Sequence, residues 1–491
     1  LPEENKERKE IKRDFVPYNF AIMSKLILKD LNESHNRLKF FKKYKKEDVI
    51  NYLSNPQKSE KELREISQFL FNVSPHYKRL IKYFADMALF RYKIIPYGLG
   101  QKMSKKAFKN DLYKAADFLE NMNISHEFKK IMTVAFREDI FYGYEHSNST
   151  SYFIQKLDPD YCCISSNEDG IYNFMFDFSY FDSDVEKLKY YHPDFRKLYG
   201  EYLKDKKNKR WIELDSEKTI CIKVNEDLEY CIPPFSGVFE YLFDIEDYKA
   251  LQKARTEIDN YKLLVMEVPL RKDSDTNNDF AIELDAMQYF YNLTAQALPE
   301  GVGLAMSPTK MESFTFNKDA TYKNNVEEAT KAYWDGAGVA GVLFGNETSS
   351  GAVATLSIKI DAEMVIDVQK QIERWINRKL KFMELNFKVK MLEITRINEQ
   401  EIQKSLLNAT QYGVPVKLDL VASYGLTPSD LLYQEYLENN ILKLTNEWIP
   451  LMSSHTISLG NEGGRPSNGT NTEEVTERGE KNDSNNPNNR G

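Results

Sequence analysis

The chain has 491 residues, too many for one compact core and suited to about three domains. Apolar residues make up 41% and charged ones 29%, and the 30 Tyr and 29 Phe exclude a chain disordered throughout. Sixty-seven basic against 75 acidic residues give a net charge of −8, the wrong sign for tight gripping of nucleic acid.

No apolar window is long enough for a membrane-spanning helix, so no membrane partner is expected. The first fifty residues form a charged arm, expected to be helical in pieces and peripheral. It carries no apolar stretch of a signal peptide, and the missing initiator Met suggests trimming or a fragment. Ser59-Glu60-Lys61-Glu62 reads as a capping box opening a helix with Leu63, Ile66, Phe69 and Leu70 on one face. Ser74-Pro75 opens the next, with Leu80, Ile81, Phe84 and Met87 as its stripe. Further helices are expected over 111–121 and 128–142.

From Ser151 to Ile232 the chain turns to strand-forming residues. Strands are predicted at 171–178, 211–214 and 219–224, with turns at Asp158-Pro159-Asp160 and Asn167–Gly170 and a helical insertion near 184–198. Pro233–Gly237 closes this antiparallel module. A helix is predicted over 246–266, with Leu251, Ala254, Ile258, Tyr261 and Val265 on one face. Pro269 and a polar run end it, and another helix is predicted over 320–335. Glycines cluster at 336–341 and again from Gly345 to Gly351. The longest helical pattern follows, 353–385, with apolar residues at Leu356, Ile360, Met364, Val368, Ile372, Trp375, Ile376, Leu380 and Met383. A strand at 387–394 comes next. Thr427-Pro428-Ser429-Asp430 supplies an N-cap, a Pro at the first helical position and an acid at the third. After Asn461 only Val475 is aliphatic, so that tail is expected to be disordered.

Chemistry is nearly silent. The chain has no GxxxxGK[ST], HExxH or GxSxG, which leaves nucleotide hydrolysis, zinc proteolysis and serine hydrolysis without a basis. The six His are scattered, and Cys162, Cys163, Cys221 and Cys231 show no zinc spacing, so they read as free thiols of a reducing compartment. Asp158, Asp160, Asp177 and Asp182 are the one conceivable nuclease cluster, but strand and turn positions explain them better. No enzyme, metal or cofactor is expected.

What the pattern does contain is an order of parts. Ser74–Phe84, Leu157–Cys162, Ile232–Phe239, Asp247–Leu251 with Asp259–Leu264, Thr355–Lys359, Ile372–Arg378, Tyr412–Pro415, Gly425–Pro428 and Pro450–Thr456 stand in an order and spacing that resemble portal proteins of tailed bacteriophages. The match runs over roughly 50–460, and none of its stretches is a catalytic fingerprint. The resemblance implies an α+β portal fold. Its wing would be helices plus antiparallel sheet (51–243, with strand 387–395), and its helical stem 244–266 and 319–336. Between the stem helices would lie a small clip (267–318), followed by a tunnel loop (337–352), a long helix (353–386) and a helical crown (396–458). Residues 1–50 stay a charged arm and 459–491 a polar tail.

It further implies a homo-oligomeric ring, a dodecamer, at the capsid vertex of a virion assembled in the host cytoplasm. Double-stranded DNA would pass through it, without sequence specificity, in packaging and ejection. Partners would be the terminase large subunit, the major capsid and scaffolding proteins and the head–tail adaptor. Gly345, Asn346, Glu347, Thr348, Ser349, Ser350 and Gly351 would touch DNA, and Arg271, Lys272, Asp273 and Asp275 would dock the motor and adaptor. A head-to-tail ring needs two complementary faces, and the charged long helix offers Glu373, Arg374, Trp375 and Arg378 as the expected subunit interface. Two rivals remain at this stage, a Mg²⁺-dependent DNA-processing enzyme and a scaffold that forms no ring.

Overall fold

A computed structural model describes residues 44–97, 104–148, 151–260, 262–267, 302–307, 325–344 and 351–444, with scattered positions between 281 and 296. Most of the charged arm, the four expected docking residues (Arg271, Lys272, Asp273, Asp275), positions 345–350 and the polar tail lie outside the described residues.

The first lobe is helical: α1 (Lys46–Ser54), α2 (Glu60–Val73), α3 (Pro75–Ala85), α4 (Lys105–Met122) and α5 (Ile124–Glu138), with strand β1 (Tyr92–Pro96) between α3 and α4. Pro75 opens α3 as expected, and the Ser74 hydroxyl accepts from the Tyr77 amide at 3.3 Å. The box expected at Ser59 does not form. Ser59 precedes α2 with ψ near 23° instead of extended, and its side chain caps no amide; Glu60 and Glu62 still place negative charge at the helix's positive end. The helix expected over 128–142 stops at Glu138. Asp139 takes a left-handed φ of +71°, and the chain leaves as a strand.

Two three-stranded antiparallel sheets follow. One has the order β3–β2–β7, from β2 (Ile140–Ser147), β3 (Tyr152–Lys156) and β7 (Thr219–Lys223); the other is β4 (Cys162–Glu168), β5 (Ile171–Asp177) and β6 (Trp211–Glu213) in chain order. Asp169 and Gly170, at φ +54° and +71°, make the two-residue turn between β4 and β5. Paired positive φ angles match the twist of such hairpins. Helix α6 (Pro193–Lys204) and a ring-rich cluster of Phe174, Phe176, Phe178, Phe181 and Phe195 cover these strands.

Helix α7 (Phe239–Asn260) starts earlier than expected and ends sooner. The residues read as its last turn and a half form strand β8 (Lys262–Glu267), paired in parallel with β9 (Val302–Ser307). Leu263-Leu264-Val265-Met266 is a continuous apolar run, which periodicity alone cannot divide between helix and strand. Helix α8 (Asn325–Gly336) packs along α7 so closely that a Cβ on Gly336 would stand 2.7 Å from the Tyr241 ring. Helix α9 (Gly351–Phe382) has 32 residues and is about 48 Å long. Strand β10 (Phe387–Met391) then returns across the chain to pair antiparallel with β1. Helices α10 (Glu399–Gln411), α11 (Lys417–Ser423) and α12 (Pro428–Tyr436) follow, and a π-helical turn (Leu437–Ile441) comes directly after α12. At α12 the expected capping is complete: Thr427 Oγ1 accepts from the Asp430 amide, and the Asp430 carboxylate accepts from the Thr427 amide.

Candidate functional site

Helix α9 divides into two halves with different surroundings. From Gln369 onward it is stitched into the fold on two sides. Toward the first sheet, the Gln371 side chain pairs with both backbone groups of Lys223 (3.1 and 2.7 Å), and the Trp375 indole N–H donates to the Thr219 carbonyl at 2.7 Å. Lys379 forms an ion pair with Glu145. Burial pushes the Glu145 carboxyl above its usual range, and Lys379 pulls it back only in part. Toward β10, Asn377 exchanges hydrogen bonds with both backbone groups of Val389 (3.0 and 2.7 Å), and Glu373 accepts from the Met391 amide at 2.7 Å. Side-chain amides here do for the strands what a neighbouring strand would do.

The four residues expected at a subunit interface belong to this clamp. Arg374 donates to the Gly170 carbonyl at 3.1 Å, so it holds the β4–β5 turn, and Arg378 donates to Asn173 at 3.1 Å and to Glu168 at 3.2 Å. Glu373 ties to β10 as above. Trp375 is 2% exposed and meets Phe128 edge-on at 5.9 Å between ring centroids, so within one subunit it is a core residue. Arg378→Glu places a carboxylate beside Glu168 in a side-chain site only 14% exposed. An expected loss of roughly 1.5–3 kcal/mol in urea unfolding follows from the lost charge-assisted bonds; Arg374→Glu, more exposed, is expected to cost less.

The first half of α9 is attached on one side only. Ile358, Ala362 and Val365 face the core. Tyr83 donates to Asp361 at 2.8 Å, and Lys359 pairs with Glu401 of α10 at 3.0 Å. Leu356, Ile360 and Met364 lie four residues apart on an open face, with exposures of 61%, 64% and 39%. Sequence spacing joins them to Val368, Ile372 and Trp375 in one stripe. The structure separates them: the later residues are buried, the earlier three are not. Met383 lies one residue beyond the helix and is exposed as well.

The segment leading into α9 is pinned at its start. Phe344 stacks on Trp334 with ring centroids 3.8 Å apart, and Arg79 donates to the Leu343 carbonyl at 3.2 Å. Gly351 is the first residue of α9.

The four aspartates of the conceivable nuclease cluster are each held by separate local partners. Asp158 caps the Asp160 amide, Asp160 pairs with Lys61 and Arg64, Asp177 with Arg210, and Asp182 with Lys206 and two tyrosine hydroxyls. Among the described residues, no three His, Cys, Asp or Glu are grouped to hold a metal ion. No helix among them is long and apolar enough to cross a membrane.

No family model matches the chain, and no curated protein matches it. Two solved structures have a distant likeness to it. A chain described as "Virion of native gene transfer agent (GTA) particle" matches at 12% identity and a TM-score of 0.41, over 72% of this chain and 90% of that one. A chain described as "Neck of empty GTA particle computed with C6 symmetry" matches at 12% identity and a TM-score of 0.42, over 72% and 89%.

Proposed function

We propose that the chain is a phage portal protein, one subunit of a closed ring that passes double-stranded DNA into and out of a capsid. In this reading it has no chemistry of its own. A terminase supplies the energy of packaging, and a head–tail adaptor later takes the same dock.

The observation that carries the proposal is the half-clamped α9. A helix of about 48 Å is fixed along its second half and leaves an apolar ridge of Leu356, Ile360 and Met364 uncovered along its first. Burying large apolar side chains contributes roughly 1.5–3 kcal/mol each, so a neighbouring subunit seated on this ridge gains at every interface of the ring. The ridge, and not the clamp residues Glu373, Arg374, Trp375 and Arg378, is then the part of α9 that meets the neighbour. Around it the remaining parts take portal roles. The wing is 51–243 with β10, the stem α7 and α8, the clip 267–318, the tunnel segment Gly345–Gly351 and the crown 396–458. Glycines and small hydroxyl residues at 345–351 suit a contact that lets a duplex slide.

Leu356→Asp combined with Ile360→Asp tests this. Both positions are exposed in one subunit, so circular dichroism and thermal midpoint are expected to stay near those of the unaltered chain. Ring assembly, read by light scattering after size exclusion, is expected to be lost. A double variant that still forms rings would remove the ridge from the interface.

A further inference from the structure

We infer a second functional surface, a contact for the phosphate backbone of nucleic acid, at the open end of the β1–β10 ribbon. It uses none of the ridge residues Leu356, Ile360 and Met364 on which the ring proposal rests. In β10 the residues alternate: Phe387, Val389 and Met391 point inward, while Lys388 and Lys390 are exposed. The ribbon ends at the pair Pro96 and Phe387, and two other elements converge there. Phe108 of α4 rests on Phe387 with ring centroids 4.7 Å apart, and the Asn386 amide donates to Asp111 at 3.2 Å. These contacts bring the first turns of α4, with exposed Lys105, Lys106 and Lys109, to the ribbon end. The Tyr97 amide donates to the Asn386 carbonyl at 2.8 Å, and Lys381, from the last turn of α9, stands 5.9 Å over the Tyr97 ring.

Five exposed lysines are therefore carried by the elements that meet at this ribbon end, in a chain of net charge −8: Lys105, Lys106, Lys109, Lys381 and Lys388. None of the five has a carboxylate partner among the described residues, whereas the flanking Lys93 and Lys390 are paired with Asp419 and Glu373. Asp111 is engaged by Asn386, which leaves Glu384 as the exposed acid of the adjoining 381–390 stretch.

The residue types name the ligand. Lysines are compact point charges on flexible stems, and several of them together on an exposed surface suit the phosphate backbone. The half-exposed rings of Tyr97 and Phe382, each with a cation over it (Lys381 at 5.9 Å and Arg378 at 5.5 Å), add aromatic surface of the kind bases stack on.

The test is fluorescence anisotropy of a labelled mixed-sequence duplex titrated with the full chain over a salt series. If each of the five lysines neutralises one phosphate, log K against log salt has a slope of about −4.5, an affinity loss of about 500-fold between about 50 and 200 mM salt. Lys105→Glu with Lys388→Glu is expected to weaken binding by at least about tenfold at low salt, since it replaces two phosphate contacts by repulsion. Lys204→Glu with Lys207→Glu, an equal charge change at the end of α6, is expected to leave it within about twofold. Absence of binding, a slope shallower than about −2, or equal loss in the two double variants would overturn the inference. So would polyglutamate competing as well as duplex, charge for charge, which would assign the surface to acidic protein.

Discussion

Trp375→Ala is expected to lower stability by roughly 3–5 kcal/mol, the scale of large-to-small changes at fully buried sites. The indole stands where α9, α5 and β7 meet. Phe128 of α5 touches its face edge-on, Lys379 lies 5.8 Å from its ring, and its N–H satisfies the Thr219 carbonyl of β7. Truncation removes the packing and orphans that carbonyl in one step. Trp375→Phe helps separate the two contributions, because it keeps an aromatic ring in the site while deleting the donor and the smaller part of the packing. It is expected to cost about 1–3 kcal/mol, the penalty of a buried group left without its partner. Urea unfolding of both variants reads the difference. A Trp375→Ala variant as stable as the unaltered chain would show that α9 is not anchored through this residue.

Glu138→Gln is expected to be nearly as damaging, roughly 3–5 kcal/mol, because it breaks a buried charge cluster from one side. Glu138 is fully buried and accepts from both Arg137 and Lys156, and Arg137 is itself buried. Burial pushes the Glu138 carboxyl up, but the two cations outweigh it and hold it at about 2. A carboxyl lowered on folding contributes stability that is present above its ordinary value near 4.5 and lost as pH falls toward 2.

Its neighbour Asp139 moves the other way. Burial raises it to about 7, and one of its carboxylate oxygens has no hydrogen-bond partner among the described residues. Folding here favours the protonated form. The contribution of Asp139 is therefore complete below its ordinary 3.8 and lost as pH rises through 7. Glu138→Gln is expected to flatten the thermal midpoint's dependence on pH below about 4.5, and Asp139→Asn its dependence between about 4 and 7. Unchanged profiles would contradict these assignments.

Local signals in the sequence that act within a few residues mostly transferred to the structure, the box expected at Ser59 being the exception. Pro75 after Ser74, the Thr427–Asp430 box and the Asp169–Gly170 turn each set their own backbone geometry, and each stands as read. Signals that depend on distant partners transferred less well. Ile140–Tyr142 continues the helical spacing of α5, yet the residues form a strand because β7, some eighty residues on, pairs with all three. Lys262–Glu267 likewise leaves its helix for a partner forty residues on, β9.

Helix α9 shows the limit most clearly. Its length and its position after a glycine-rich segment are legible from residue spacing. Which apolar residues face the core is not, since spacing records a stripe but not what covers it. Arg374 and Arg378 illustrate the same gap. Their charge suggested a neighbouring subunit, and the partners they meet within their own chain are a turn carbonyl, an asparagine and two glutamates, Glu168 and Glu226.

Ring closure is the claim on which the proposed function stands, and negative-stain imaging of the purified full chain tests it directly. The expected result is a closed ring with a central hole, with native mass spectrometry giving a whole multiple of the 57.4 kDa subunit. A single species of subunit mass, with no ring in the images, would contradict it.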